Sequence, residues 1–192
     1  MNNRHLASTT LVIVLAATVS FPAFAQVLRN PSFESAGAST DRAAGWERWG
    51  DWINREEGWK PTHTGTCLLG YHHWQIPAAK DSGVYQDITG AKKDTMYEFG
   101  IFANLDKAKP GTLDALTIEL RLETVVGDKQ QTLASKVYRV ADLKPDQWEK
   151  LTVRGQSPNE TLRVLVIVTP SADDSTRGGA IRFDDAFLNE SR

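Results

Sequence analysis

Across most of the chain, apolar and polar residues alternate with a period of two. In "TIELRLE", Ile118, Leu120 and Leu122 fall on one side and Glu119, Arg121 and Glu123 on the other. In "YEFGIFAN", Tyr97, Phe99, Ile101 and Ala103 alternate with Glu98, Gly100, Phe102 and Asn104. That spacing belongs to extended strands with one buried face. "LRVLVIV" at 162–168 is apolar at nearly every position, as in a central strand covered on both faces. "CLLGYH", "GVYQDI", "KVYRV", "QWEKLTV" and "GAIRFDDAFL" read as further strands. "KPG" at 109–111, "VGDK" at 126–129, "KPDQ" at 144–147 and "SPNE" at 157–160 carry turn residues between them. Strand signals recur roughly every 10–15 residues, and no helix-length amphipathic run follows the first 25 residues, so the pattern predicts an all-β, two-sheet antiparallel β-sandwich. The stretch 36–61 is the least regular and is predicted to be loop-rich.

The first 25 residues read differently. One positive charge, Arg4, precedes the apolar run "LVIVLAATVSFPAFA", which ends on the small-x-small site Ala23-Phe24-Ala25. This is the pattern of a secretory signal peptide. Residues 1–25 are therefore expected to be removed after Ala25, and 26–192 to form one domain of a secreted or periplasmic protein. No lipobox cysteine marks the cleavage point, and no later run is apolar enough to span a bilayer, so no membrane anchor is expected.

Charge and cysteine content narrow the function. The formal net charge is −2, or −3 without Arg4. That balance argues against nucleic acid as a partner, because such proteins present a basic surface. The single cysteine, Cys67, excludes an internal disulfide, and its apolar neighbours predict a buried thiol. His72 and His73 are adjacent, so in a strand they point to opposite faces. No zinc-type spacing accompanies them or His63, which argues against a transition-metal site.

Sugar recognition needs flat aromatic faces for the ring C–H surface and planar polar groups for hydroxyls. Six tryptophans are available, and Trp46, Trp49, Trp52, Trp59 and Trp74 all precede residue 75. Trp46 and Trp148 are expected in the core. Trp74 follows the polar "YHH" at a strand end, where it can form an exposed platform together with Tyr71 and His73. Trp49, Trp52 and Trp59 are further candidates, each equally open to a core role. Phe102, Asn104, Glu119 and Arg121 take the non-core parity of their strands. They supply one aromatic and three hydrogen-bonding groups if those strands share a binding face, or a plain solvated surface if they do not.

Several segments in order resemble the carbohydrate-binding modules grouped as families 4, 9, 16 and 22, with a galactose-binding-domain-like jelly-roll. "LRNPSFESAG" with "GWERWG" is similar to their opening. "GVYQDI" with "TMYEFGIFANLD" is similar to their middle, and "DQWEKLTV", "ETLRVLVIV" and "AIRFDDAFL" to their ending. The match spans Val27 to Leu188, departing at "KKD" before the central strand and in the Trp-rich stretch from Trp46 to Trp59. The resemblance implies a non-catalytic protein that binds a polysaccharide or oligosaccharide; a separately encoded carbohydrate-active enzyme is left open as a further partner. It also implies a structural Ca2+ held by Glu34 and Asp184, with the loop "THTGTC" adding carbonyls at Thr64 and Cys67. That ligand chemistry suits a hard cation.

Two alternatives stay open. One is a jelly-roll polysaccharide lyase with Tyr71, His73, Asn104 and Arg121 as acid, base and charge-neutralising groups. The other is a structural or protein-binding envelope domain that has kept the fold and lost the sugar.

Overall fold

The computed structural model describes residues 28–50, 52–58, 61–74, 80–107, 109–127, 129–171 and 177–191. The expected leader and Trp59 lie outside them. Ten strands run in chain order: β1 (Glu47–Trp49), β2 (Ile53–Glu57), β3 (Cys67–His72), β4 (Ser82–Thr89), β5 (Thr95–Asp106), β6 (Leu116–Val126), β7 (Lys129–Arg139), β8 (Glu149–Ser157), β9 (Thr161–Pro170) and β10 (Ala180–Glu190). They form two five-stranded sheets, β1-β4-β9-β6-β7 and β2-β3-β10-β5-β8, whose strand neighbours are all antiparallel. Among the described residues no helix is long and apolar enough to cross a membrane.

The period-two pattern explains the packing. Ile118, Leu120 and Leu122 of β6 and Val164, Val166 and Val168 of β9 face Phe99, Ile101, Phe183 and Leu188 of the other sheet in one buried core. Trp46 is buried there too, its indole Nε1 donating to the Asn30 carbonyl at 3.1 Å. β9 is the central strand of its sheet, and its outward Leu165 and Ile167 are also buried, as the unbroken apolar run implied. Trp148 departs from expectation: it is half-buried and sits outside that core.

The stretch predicted to be loop-rich contains β1 and β2. β1 is too short to show a period. β2 hides its parity behind a charge, because Arg55 occupies an inward position and is buried. The Arg55 guanidinium donates to the carbonyls of Phe33 (2.8 Å), Thr40 (3.0 Å) and Glu34 (2.8 Å). A fixed cation thus gathers the loop carbonyls that precede β1.

Candidate functional site

The outer face of the first sheet carries an aromatic pair, Trp49 and Tyr85. Cross-strand register places Glu47, Tyr85, Leu165, Arg121 and Ser135 in one row across all five strands. Trp49, Gly83, Ile167, Glu119 and Val137 form the next. Trp49 lies across Gly83, where an added Cβ would sit only 2.1 Å from its Cη2 atom. The missing side chain lets the indole rest on the strand with its opposite surface turned outward, the way an aromatic covers a glycine in a sheet. Tyr85 stands beside it, ring centroids 6.2 Å apart and planes 43° apart. The Arg163 guanidinium lies 4.3 Å from the Tyr85 ring centroid, and Asp87 holds it in a two-point ion pair at 2.6 and 2.9 Å.

Planar polar groups continue the row. Arg121 donates Nε and Nη2 to the two oxygens of Glu119 at 2.7 and 2.9 Å, and Ser135 Oγ adds a third bond at 2.6 Å. These bonds, Arg121 first, hold the Glu119 carboxyl below its ordinary range despite partial burial. Arg121 also donates Nη1 to Glu123 Oε1 at 3.2 Å. Glu123 is buried, and its second oxygen, Oε2, has no donor among the described residues. Buried carboxylate oxygens are almost always satisfied, so an ordered water is the expected partner of Glu123 Oε2.

The outer face of the second sheet is covered. The loop before β3 folds over it, and two carboxylates anchor that loop through its backbone. Asp184 Oδ2 accepts from the His63 and Thr64 amides at 2.9 and 3.1 Å. Glu34 Oε1 accepts from the Thr66 and Cys67 amides, both at 3.0 Å. The His63 ring stacks on Phe102 with centroids 3.9 Å apart, meets Trp148 edge-on, and its Nδ1 pairs with Asp185 Oδ2 at 2.5 Å. Asp184 is fully buried, and burial pushes its carboxyl up to about 6. Burial also acts to raise Glu34, but the Cys67 and Thr66 donors more than offset it and leave that carboxyl below its ordinary value. A bulge in β10 makes this clamp: Asp185 takes a φ of 47° as the register shifts between Asp184 and Phe187.

The candidates named from sequence therefore separate. Trp49, Glu119 and Arg121 share the open first face. Phe102 and Asn104 lie on β5 in the other sheet, so the four outward residues of β5 and β6 do not form one surface. Asn104 is buried, with neither amide atom partnered among the described residues. Trp74 is 58% exposed and stacks on His72 near the second face. Trp52 is half-buried against the core. Tyr71 and His73 are not surface groups. Tyr71 shares the inward parity of Leu69, and His73 is sealed beside it, 3.2 Å from the Tyr71 hydroxyl. With those two inside, Arg121 on one sheet and Asn104 on the other, the lyase constellation does not assemble. Tyr85 was missed as a site residue. The parity of "GVYQDI" puts Tyr85 on the Gly83 side of β4 and could have flagged it.

Glu34, Thr64, Cys67 and Asp184 do meet around one loop, the two carboxylates bound to its backbone amides. Calcium takes about six to eight oxygen ligands. Amide donors already occupy Glu34 Oε1 and Asp184 Oδ2, and Thr64 Oγ1 donates to Asp185 at 2.7 Å. The Cys67 thiol faces Arg55 at 2.9 Å and is raised by burial. Arg55 already draws on the neighbouring carbonyls. Among the described residues no group of three or more His, Cys, Asp or Glu is placed to hold a metal.

The architecture has clear relatives. A family 61 carbohydrate-binding module in complex with β-1,4-galactotriose superposes with a TM-score of 0.60 at 17% identity, covering 86% of this chain and 99% of that one. A xylan-binding domain of family 22 gives 0.52 at 16% identity, covering 86% and 96%. The CBM22-1–GH10 modules of a Clostridium thermocellum endo-1,4-β-D-xylanase, complexed with xylohexaose, give 0.55 at 15% identity, covering 87% of this chain and 28% of that one. The chain has the jelly-roll fold of the carbohydrate-binding modules. No family model matches the sequence, and no curated protein does.

Proposed function

We propose that this jelly-roll is a non-catalytic binding module for a polysaccharide or oligosaccharide, and that the open face of the first sheet is its binding surface. The observation that carries the reading is Trp49 lying across Gly83 beside Tyr85, in rows that continue into Arg121 and Glu119. The indole takes the apolar C–H side of a sugar ring. Arg121 and Glu119, already locked together, meet hydroxyls without having to be ordered on binding. That arrangement binds and orients a chain. It offers no paired acid and base around a scissile bond.

The structural relatives support this reading, since the family 61 module is complexed with galactotriose. Export through residues 1–25 belongs to the same proposal, and the mass of the secreted chain tests it: a protein beginning at Gln26 is expected. The binding test is retention on galactan and xylan in affinity gels, comparing the native protein with Trp49→Ala and Trp74→Ala. Retention lost with Trp49→Ala and kept with Trp74→Ala is the expected result. The opposite pattern would move the site to the second face, and release of reducing or unsaturated ends by the native protein would overturn a purely binding role.

A further inference from the structure

Beyond Ser135 the binding row reaches the edge of the first sheet, and the surface drops into a groove of about 590 Å3 between β7 and β8. The fold builds this groove. Gly155 of β8 approaches β7 so closely that an added Cβ would lie 3.0 Å from Ala134 Cβ. The Tyr138 hydroxyl reaches across to β8, accepting from the Thr152 amide at 2.8 Å and donating to its carbonyl at 2.7 Å. Three cations line the walls, Lys136, Lys150 and Arg154, against a single lining carboxylate, Glu98. Glu98 contacts Arg154 at 2.5 Å and Lys150 at 3.7 Å, whereas Lys136 lies over the Tyr138 ring, 4.7 Å from its centroid. The groove is therefore positive in a chain whose formal net charge is −2. Ser135 belongs both to the groove and to the Glu119–Arg121 network.

We propose that the groove takes an acidic substituent, a carboxylate or a sulfate, of the same glycan that stacks on Trp49, so that the ligand is an acidic polysaccharide. The proposal rests on the carbohydrate-binding reading above. Five strands spaced about 4.8 Å apart put the Tyr85–Ser135 row and its neighbour on a track roughly 19 Å long. A short oligosaccharide covers that length and delivers its next unit over the β7 edge. Ammonium and guanidinium groups there meet an anion with charge-assisted hydrogen bonds. The Lys150 ammonium is already poised 4.4 Å from the Phe187 ring centroid.

The test titrates the native protein with polygalacturonate, with the same polymer reduced to its neutral form, and with a sulfated galactan. At least tenfold tighter binding to an acidic polymer than to the reduced one is expected, weakening as salt rises. The stronger of the two acidic arms identifies the group. Lys136→Ala/Lys150→Ala should abolish the preference and leave neutral affinity intact, while Lys80→Ala/Lys93→Ala should leave the preference unchanged. Equal binding of acidic and reduced polymers overturns the proposal while the binding module stands. So does a preference that survives the Lys136/Lys150 change, or one lost equally with Lys80/Lys93. A preference that needs Lys136 and Lys150 but ignores Trp49→Ala keeps the groove and removes the platform. No binding in any arm overturns both.

Discussion

The two outer faces of the sandwich use the same device to opposite ends. On the first sheet Trp49 lies on Gly83. On the second, Phe187 lies on Gly100, where an added Cβ would come within 2.2 Å of its ring. Phe187 is then covered by Lys150, and beside it His63 sits flat on Phe102 beneath an anchored loop. On the first face the polar groups tie to one another along the strands and leave the ring surface open. An aromatic on a sheet becomes a binding platform or a packing element according to what the neighbouring loop does with it. Here two carboxylates hold residues 63–67 over the second face.

The sharpest way to break that comparison is to release the loop. Asp184→Ala strands the amides of His63 and Thr64 and should cost about 2–3 kcal/mol in urea unfolding while leaving glycan retention intact. The charge can be separated from the contacts with Asp184→Asn. Because the folded carboxyl lies near 6 against an ordinary 3.8, the folded state holds the proton more tightly. Its stabilising contribution is full below about pH 4 and is lost as pH rises through 6, a swing of about 3 kcal/mol that the Asn variant should flatten. Glu119, held below its ordinary value, acts in the opposite sense, so the difference between native and variant curves is the quantity to read.

Next in size is the platform. Trp49→Ala should weaken glycan binding about 30-fold, equivalent to about 2 kcal/mol, with little change in melting temperature. Phe102→Ala should do the reverse, lowering the melting temperature by about 3–6 °C and leaving affinity unchanged. If the two variants trade places, the assignment of the faces is wrong. A subtler probe is Gly83→Ala, which forces the Trp49 ring off the strand and should weaken binding several-fold without unfolding the protein. The smallest effect is expected from calcium. Melting with millimolar calcium and with chelator should agree within about 1 °C. A rise of several degrees would show that the Glu34 and Asp184 carboxylates rearrange to hold the ion.

Most of the fold was legible because strand parity is local. β5 and β6 announce which side chains face inward, and the structure agrees. Which strands become neighbours is not local. The outward parity of Phe102, Asn104, Glu119 and Arg121 was correct, yet β5 pairs with β8 and β10 while β6 pairs with β7 and β9. A surface assembled from parity alone therefore joined two opposite faces. His73 and Tyr71 misled for a related reason: their polar atoms bond to each other inside, so a polar sequence context did not mean exposure. Arg55 did the same in reverse, concealing a strand behind a charge satisfied by loop carbonyls. Trp74 was the clearer case, since a residue just past a strand end has no sheet partner to cover it.

The Tyr138 hydroxyl has a consequence outside recognition. β8 is an edge strand, and an exposed strand edge is a template on which another chain can add. By occupying both the amide and the carbonyl of Thr152, one phenol blocks that template near its middle without adding a strand. A blocked edge of this kind disfavours polymerisation through β8.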